Sequence, residues 1–448
     1  MYNSKVIIMK KLRIIAISVI ILSCGIAAKA QNYNPVALDQ YFQTLCDNNK
    51  FMGNVSIFHN GAEIYSKSVG FADIDQQIPN NKSAKICVGS ISKTFTAVMT
   101  FKAIEAGKLS LSESLNKYFP SIVNADKITI GHLLSHRSGI HNYTANWEFM
   151  QWSAKTREQM IEIITAGGSD FEPDTHADYS NSNYVLLSYI LEDIYGKPYA
   201  DILTDQITKP LSLDNTYFGK NTIDVSDNEC NSYLFSDKWQ IQTVTEPSVT
   251  LGAGGIISTP NDLNKFIDAL FNGKLISKES LSDMLNIRDN YGMGIFPVSY
   301  FSKSGYGHRG GVDGFNSMFI YFPEDKISYA ITSNALNYNF TEIHIAALNC
   351  IYRQPSDIPI FNKIVTNPEV LDKYTGVYTS TQLPLEITVT KENNSLLVQA
   401  AGQPAFLLEP SSEHLFRFVE NDVVIEFNPA NETMILIQGE GVLYFGRQ

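Results

Sequence analysis

Strand signals at both ends of one long stretch, with helix signals between them, constrain this chain most. Gly53–Phe58 and Ala62–Val69 alternate apolar and polar residues around His59-Asn60-Gly61. Asn-Gly between two such runs marks a β-hairpin, with His59 a solvated residue at its tip. Val298–Lys303, Phe315–Phe322 and Ile327–Ser333 are strand-like again. Residues from about 120 to 245 read instead as helices and loops. The late strands therefore read as the sheet resumed, and the stretch between as an α-helical insertion.

Helices are marked by period and by caps. Leu38, Tyr41, Phe42 and Leu45 recur at helical spacing after Pro35. A helix beginning near Ser90 runs to about Ala106, with Phe95, Val98 and Met99 on its apolar face and Gly107 to end it. Thr129 caps a short helix, Ile130 to His136, and a longer one spans about Asn183 to Tyr195. Thr259-Pro260-Asn261-Asp262 places a cap, a proline and an acid where a helix start favours them, and that helix runs to Asn272. A closing helix covers about Phe340 to Tyr352. Gln354–Pro359 reads as a linker. From Leu371 the pattern becomes short alternating runs with turns at Asn393-Asn394, Glu420-Asn421 and Pro429-Ala430-Asn431, as in a small antiparallel barrel or sandwich.

At 448 residues the chain is long for a single core. Lys10, Lys11 and Arg13 precede an apolar run, Ile14–Ile26, and Ala28-Lys29-Ala30 follows it. This predicts a secretory signal over residues 1–30, with a lipid site at Cys24 as the lesser alternative and no transmembrane anchor in the mature chain. Without residues 1–30, 29 basic residues face 46 acidic ones, a formal charge of −17. So acidic a chain argues against nucleic acid or an anionic membrane as partner. Cys46, Cys87, Cys230 and Cys350 are too scattered for a disulfide framework, and no C-x-x-C or H-E-x-x-H motif predicts a metal. No cofactor is expected, and the expected partner is a small-molecule or peptide substrate.

The chemistry collects in three places. Val88-Gly89-Ser90-Ile91-Ser92-Lys93-Thr94-Phe95 holds a serine and a lysine three apart at a helix start. Such residues share a helix face, so Ser90 and Lys93 can touch. A desolvated lysine loses its proton more readily, and a neutral amine can take the proton of a hydroxyl. A helix N-terminus adds N–H groups where an oxyanion would form. Taken alone, the pair is equally an N-cap serine beside a solvated lysine. The second place is Tyr179-Ser180-Asn181: a phenol beside a lysine can act as base or proton shuttle, and an asparagine can bind a substrate amide. The third is Gly307-His308-Arg309-Gly310-Gly311, placed before a strand, where glycines let a substrate approach the backbone.

These clusters and their neighbourhoods resemble the penicillin-recognising serine hydrolases, which include class C β-lactamases, D-Ala-D-Ala carboxypeptidases, D-aminopeptidases and related esterases. The matching stretches are GSISKTFTA at 89–97, HLLSHRSGI at 132–140, YSNSNY at 179–184, PLSLDNT at 210–216, GAGGIISTPNDL at 252–263 and GHRGGVDGF at 307–315. The resemblance implies an α/β sandwich with an α-helical lobe at about 120–245, within a hydrolase domain over 31–353. It further implies a linker over 354–370 and a small lipocalin-like antiparallel β-barrel over 371–448. It implies Ser90 as acylated nucleophile, Lys93 as its partner, Tyr179 as base or shuttle, and Asn181, His308, Arg309 and Gly310 as substrate-binding residues. The oxyanion would rest on the N–H groups of Ser90 and Gly311.

Departures from the pattern matter. Arg309 stands where a small Thr or Ser often meets a substrate carboxylate, Arg137 replaces a frequent Thr, and the third motif has His308 where lactamases often have lysine. His132 and His136 read as structural. The expected activity is that of a secreted or periplasmic serine hydrolase. Peptidase action on D-amino-acid or cell-wall peptides and esterase action rank level, ahead of β-lactamase. A non-catalytic binder of penicillin or peptidoglycan-type peptides is the alternative.

Overall fold

The computed structural model describes residues 34–145, 152–236, 238–361, 368–392, 395–418, 421, 423–439 and 441–448. The predicted signal and its alternative at Cys24 lie outside the described residues. Among those described, no helix is long and apolar enough to cross a membrane.

The hydrolase part is built on an antiparallel sheet. Its main path uses strands β1 (Phe51–His59), β2 (Ala62–Val69), β3 (Phe296–Tyr300), β4 (Lys303–Val312), β5 (Phe315–Phe322) and β6 (Ile327–Leu336) in the order β3-β4-β5-β6-β1-β2. The early hairpin therefore joins the late strands through β1 and β6, which pair from Phe51↔Leu336 to His59↔Ile327. Asn60 and Gly61 have φ of 52° and 74°, the left-handed pair that a two-residue hairpin turn demands.

Both faces of the sheet are covered, so its central strands are buried on both sides, with polar residues such as Ser56 and Thr332 among them. On one face lie helices α1 (Pro35–Asp47) and α6 (Phe340–Ile351), packed on Val55, Ile57, Ile320, Tyr329 and Ile331. On the other lie α2 (Ser92–Glu105) and α5 (Pro260–Phe271), packed on Phe319, Tyr321 and Ala330. Phe95 of α2 stacks on Phe266 of α5 at 3.8 Å between ring centroids. Thr259 caps α5 by accepting from the Asp262 N–H at 3.3 Å, with Pro260 at its first position.

The stretch between the sheet's two halves contributes α3 (Arg157–Gly167) and α4 (Asn181–Tyr195). It is less uniformly helical than its sequence predicts. Tyr217–Phe218 pairs with Ile256–Ser258, and Tyr233–Phe235 and Trp239–Ile241 extend the main sheet beside β6. These strands are two or three residues long, below the length at which alternation is readable.

The C-terminal strands close into an eight-stranded antiparallel barrel, from Gly376–Thr379 to Gly441–Arg447. Its interior is filled by side chains, among them Tyr378, Ile387, Leu396, Phe416 and Phe427. The barrel packs on the hydrolase part: Leu415, Val424, Ile435, Ile437 and Tyr444 share one apolar cluster with Phe42 and Ile343 of α1 and α6.

Candidate active site

Ser90 sits in a single 3-10 turn, Gly89–Ile91, that leads into α2, rather than in the α-helix itself. Gly89 holds φ at 52°, in the left-handed region, and a Cβ there would lie 2.9 Å from the Gly311 nitrogen. A Cβ on Gly310 would lie 2.0 Å from the Val88 carbonyl oxygen and 3.0 Å from the Ser90 nitrogen. Glycine on both sides thus lets the turn and β4 meet backbone to backbone beside the serine. That contact explains a difference from the sequence reading: Gly307–Gly311 lies inside β4, not before a strand. Glycine is poor in strands by propensity, and the demand for close approach overrides it.

Lys93 is fully buried, one helical turn from Ser90. Its Nζ lies 3.1 Å from Ser90 Oγ, 2.7 Å from Asn181 Oδ1 and 2.6 Å from the Ala253 carbonyl oxygen. It also lies 4.8 Å from the centre of the Tyr179 ring and 5.7 Å from that of Tyr184. The oxygens and ring faces favour an ammonium, but they are neutral and burial is complete. Burial wins and holds the amine well below the usual lysine range. Two of its three oxygen neighbours, the amide of Asn181 and the carbonyl of Ala253, can only accept. A neutral amine has two N–H bonds for them, which leaves its lone pair for the Ser90 hydroxyl.

Asn181 is the first residue of α4, which starts two residues earlier than its apolar period suggests. Its own N–H donates to Asn142 Oδ1 at 3.1 Å, and the Ser180 N–H donates to His136 Nδ1 at 3.1 Å. These side chains satisfy backbone groups that a helix start leaves open. The Asn181 Nδ2 donates to Thr144 Oγ1 at 3.0 Å and Asn142 Oδ1 at 3.3 Å. Its amide is thus engaged within the protein on both sides, and its oxygen faces Lys93.

Tyr179 lies on the same cavity as Ser90 and stacks on His136, ring centroids 4.5 Å apart. His136 is buried, with φ of 58°, and burial beside Lys93 and His308 holds its imidazole well below the usual histidine range. Because Nδ1 accepts from Ser180, the proton of the neutral ring sits on Nε2. His136 and Asn142 were missed as site residues. The three-residue spacing that exposes Ser90 and Lys93 has no counterpart for contacts 43 or 39 positions apart. His132 completes the Thr129 cap, and Arg137 pairs with Asp174 at 2.7 Å and with Asp289.

On β4, His308 pairs across to Phe319 and so faces α2 and the serine. Its Nδ1 lies 2.6 Å from the Arg309 carbonyl oxygen, an acceptor, so Nε2 is the unprotonated nitrogen. Nε2 is buried without a partner among the described residues, and burial, with Lys93 second, brings the group down to about 3. Arg309 pairs with Met318 and belongs to the other face, its guanidinium 5.2 Å from the centre of the Phe340 ring on α6. Strand parity therefore separates it from Ser90, where motif position alone had grouped them. Ser90 opens on two cavities, one of about 750 Å³ shared with Tyr179 and His308, and one of about 300 Å³ shared with Tyr143, Thr144 and Asn181. No cluster of three His, Cys, Asp or Glu side chains among the described residues is arranged to hold a metal ion.

Comparison with known proteins follows this geometry. Residues 38–349 match the family model described as Beta-lactamase. A penicillin-binding protein of Bacillus subtilis (strain 168) is 28% identical over 421 residues, 87% of this chain and 93% of that protein. Teichoic acid D-alanine hydrolase of Staphylococcus aureus (strain MRSA252) is 26% identical over 59% of this chain and 63% of its own length. The crystal structure of a D-stereospecific amidohydrolase from Streptomyces sp. superposes with a TM-score of 0.63 at 26% identity, over 71% of this chain and 99% of its own. The chain belongs to the Beta-lactamase family and is a serine hydrolase.

Proposed function

We propose that this hydrolase works through a covalent acyl-enzyme on Ser90 and cleaves an amide or ester of a D-amino-acid substrate. The observation that carries the reading is Lys93: a fully buried amine among neutral oxygens, 3.1 Å from the serine oxygen, whose hold on its proton burial weakens. The Ser90 oxygen forms a bond to the substrate carbonyl carbon while its proton passes to the Lys93 nitrogen, with the Tyr179 hydroxyl as shuttle. The negative oxygen rests on the N–H groups of Ser90 and Gly311, and losing one such donor costs roughly 10²–10³ in rate. The proton then goes to the departing amine or alcohol, and water attacks the acyl-serine by the same route in reverse. Asn181 holds Lys93 in place, and His308 Nε2 offers the substrate an acceptor.

D-Amino-acid chemistry is supported by the names of the Staphylococcus and Streptomyces relatives. Action on cell-wall material, outside the cytoplasm, is supported by the likeness to a penicillin-binding protein and is in keeping with the signal expected for residues 1–30. The test combines intact-mass detection of a serine adduct with turnover of D-Ala-D-Ala peptides, D-aminoacyl amides, short acyl esters and nitrocefin. Ser90→Ala is expected to fold normally, take up no label and turn over nothing. Full activity in that variant sinks the proposal, and stable labelling without turnover of any substrate points to a binder instead.

A further inference from the structure

The larger cavity does not end at the serine. Strand β3 covers one edge of β4 only as far as Gly307, paired with Phe296, so residues 308–312 have no strand neighbour on that side among those described. The cavity passes around this open edge to the other face of the sheet. There its walls come from three parts of the molecule: Val298, Met318 and Ile320 of the sheet, Ile345 of α6, and Val442 and Tyr444 of the barrel.

The chemistry of this arm points to its occupant. All six of those side chains are apolar or aromatic, and Val298, Met318 and Val442 are only half-buried, so apolar surface is left for a ligand to cover. Among the described residues that line the cavity there is no Asp or Glu. The polar groups of the arm are engaged or neutral. Arg309 lies against the Phe340 ring, 5.2 Å from its centre, and Gln382 Oε1 accepts from the Tyr444 N–H at 2.7 Å. Burial first, then Arg309, keeps the His344 imidazole neutral, down to about 3.

The arm is also formed in advance. The Tyr444 hydroxyl donates to the Ser299 carbonyl oxygen at 3.1 Å, and its ring lies 4.7 Å from that of Phe301 and 5.9 Å from that of Tyr300. The barrel wall is thereby fastened to β3, which spares a ligand the cost of ordering it. At about 750 Å³ the cavity suits a ligand of drug-like size, roughly 300–1,000 Å³, rather than one amino-acid residue.

We propose that this arm binds an uncharged apolar tail of the substrate, a hydrocarbon chain or ring joined to the scissile amide or ester, with the outer surface of the barrel as its far wall. The proposal rests on Ser90 as the reacting group, because the arm and that serine share one cavity. The barrel, its own interior filled, thus acts through its outside, by selecting what reaches the serine.

The test uses D-alanine esters in two series. One carries the tail on the acyl side and the other on the leaving alcohol, each lengthened from one carbon to six. In at least one series kcat/KM is expected to rise about threefold per methylene, chiefly through KM. An ether oxygen in place of a mid-tail methylene, at equal length, is expected to lose most of that gain. Val442→Trp fills the arm from the barrel side and is expected to cut the ratio of six-carbon to one-carbon substrate about tenfold. Met318→Gln keeps the side chain's length but makes the sheet wall polar, and is expected to cut the same ratio about fivefold. Each ratio is taken within one preparation, so a loss of folded protein does not imitate the effect. A ratio near one in both series, an ether tail equal to its hydrocarbon, or a ratio within twofold of the parent in either variant overturns the proposal. Calorimetric binding of amides with the same tails to Ser90→Ala gives the same comparison without chemistry. Failure of the acyl-enzyme reading and failure of this one are therefore separately visible.

Discussion

A fully buried lysine and a half-buried arginine show opposite uses of the same kind of charge. Lys93, in the hydrolase core, touches a hydroxyl, an amide oxygen and a backbone carbonyl. Arg417, on the barrel, meets the two oxygens of Glu342 on α6, one of them at 2.8 Å, and also donates to the Tyr338 hydroxyl at 2.8 Å. Neutral partners leave burial unopposed, and the lysine is pushed down. The carboxylate overcomes burial, and the arginine is pushed up. One site gives up its proton well below the usual lysine range; the other is a fixed charge that fastens two parts of the chain.

The sharpest way to break this contrast is at Lys93. Lys93→Met removes the proposed proton acceptor and should cost on the order of 10²–10⁴ in kcat/KM. Lys93→Arg should cost as much, because a guanidinium does not give up its proton. Lys93→Met should leave the thermal midpoint unchanged or raised, since an unpaired amine no longer has to be buried; a large drop would mean that Lys93 is a structural charge after all. The pH dependence has a definite sign. The unfolded chain holds the Lys93 proton up to about pH 10.4, while the folded chain releases it at lower pH. Stability therefore rises with pH through that window, and activity falls on the acid side as the amine is protonated. A pH–rate profile and melting curves over the same range check both.

At the barrel the outcome should reverse. Arg417→Leu removes the cation that faces the Glu342 carboxylate, 2% exposed, and should destabilise the chain by about 3 kcal/mol. Replacing both partners, Arg417→Leu with Glu342→Leu, should recover most of that loss. Chemical denaturation of the single and double variants measures it. Equal losses in the single and double variants would show that the pair is not coupled.

The same contrast marks what was legible in the sequence. Ser90 and Lys93 sit three apart, Thr259-Pro260 sits at a helix start and Asn60-Gly61 sits in a hairpin, so local rules find all of them. Alternation marks strands at both ends of the main sheet, but the glycine-rich β4 and the pairing of β1 with β6 carry no such signal. Asn181 was found by motif, as a substrate-binding residue; its contact with Lys93 was not foreseen. The Asn142 and His136 side chains that hold that corner were not found, because nothing local links them to it. Arg309 was grouped with Ser90 because the reading placed residues 307–311 before a strand, where side-chain direction is open; inside a strand, parity sends neighbours to opposite faces. The Arg417–Glu342 pair joins the barrel to α6 and carries no sequence signal at all.

The smallest effect tests the barrel contact from its other charged residue. Glu426, 9% exposed on Val423–Asn428, faces Asn349 of α6, whose Nδ2 lies 3.2 and 3.3 Å from its two oxygens. The Tyr300 hydroxyl donates to the same asparagine, and Asp357 and Glu342 add negative charge nearby. Burial first, then Asp357, raises the Glu426 carboxyl to about 8. The folded chain therefore keeps a proton that the unfolded chain gives up above about pH 4.3, so stability falls as pH rises between those values. From pH 7 to 8 this amounts to about 1 kcal/mol. Glu426→Gln is the same size, bonds Asn349 without a charge, and should flatten that slope in melting curves at pH 5, 7 and 8. An unchanged slope would mean that Glu426 is already ionised at the contact.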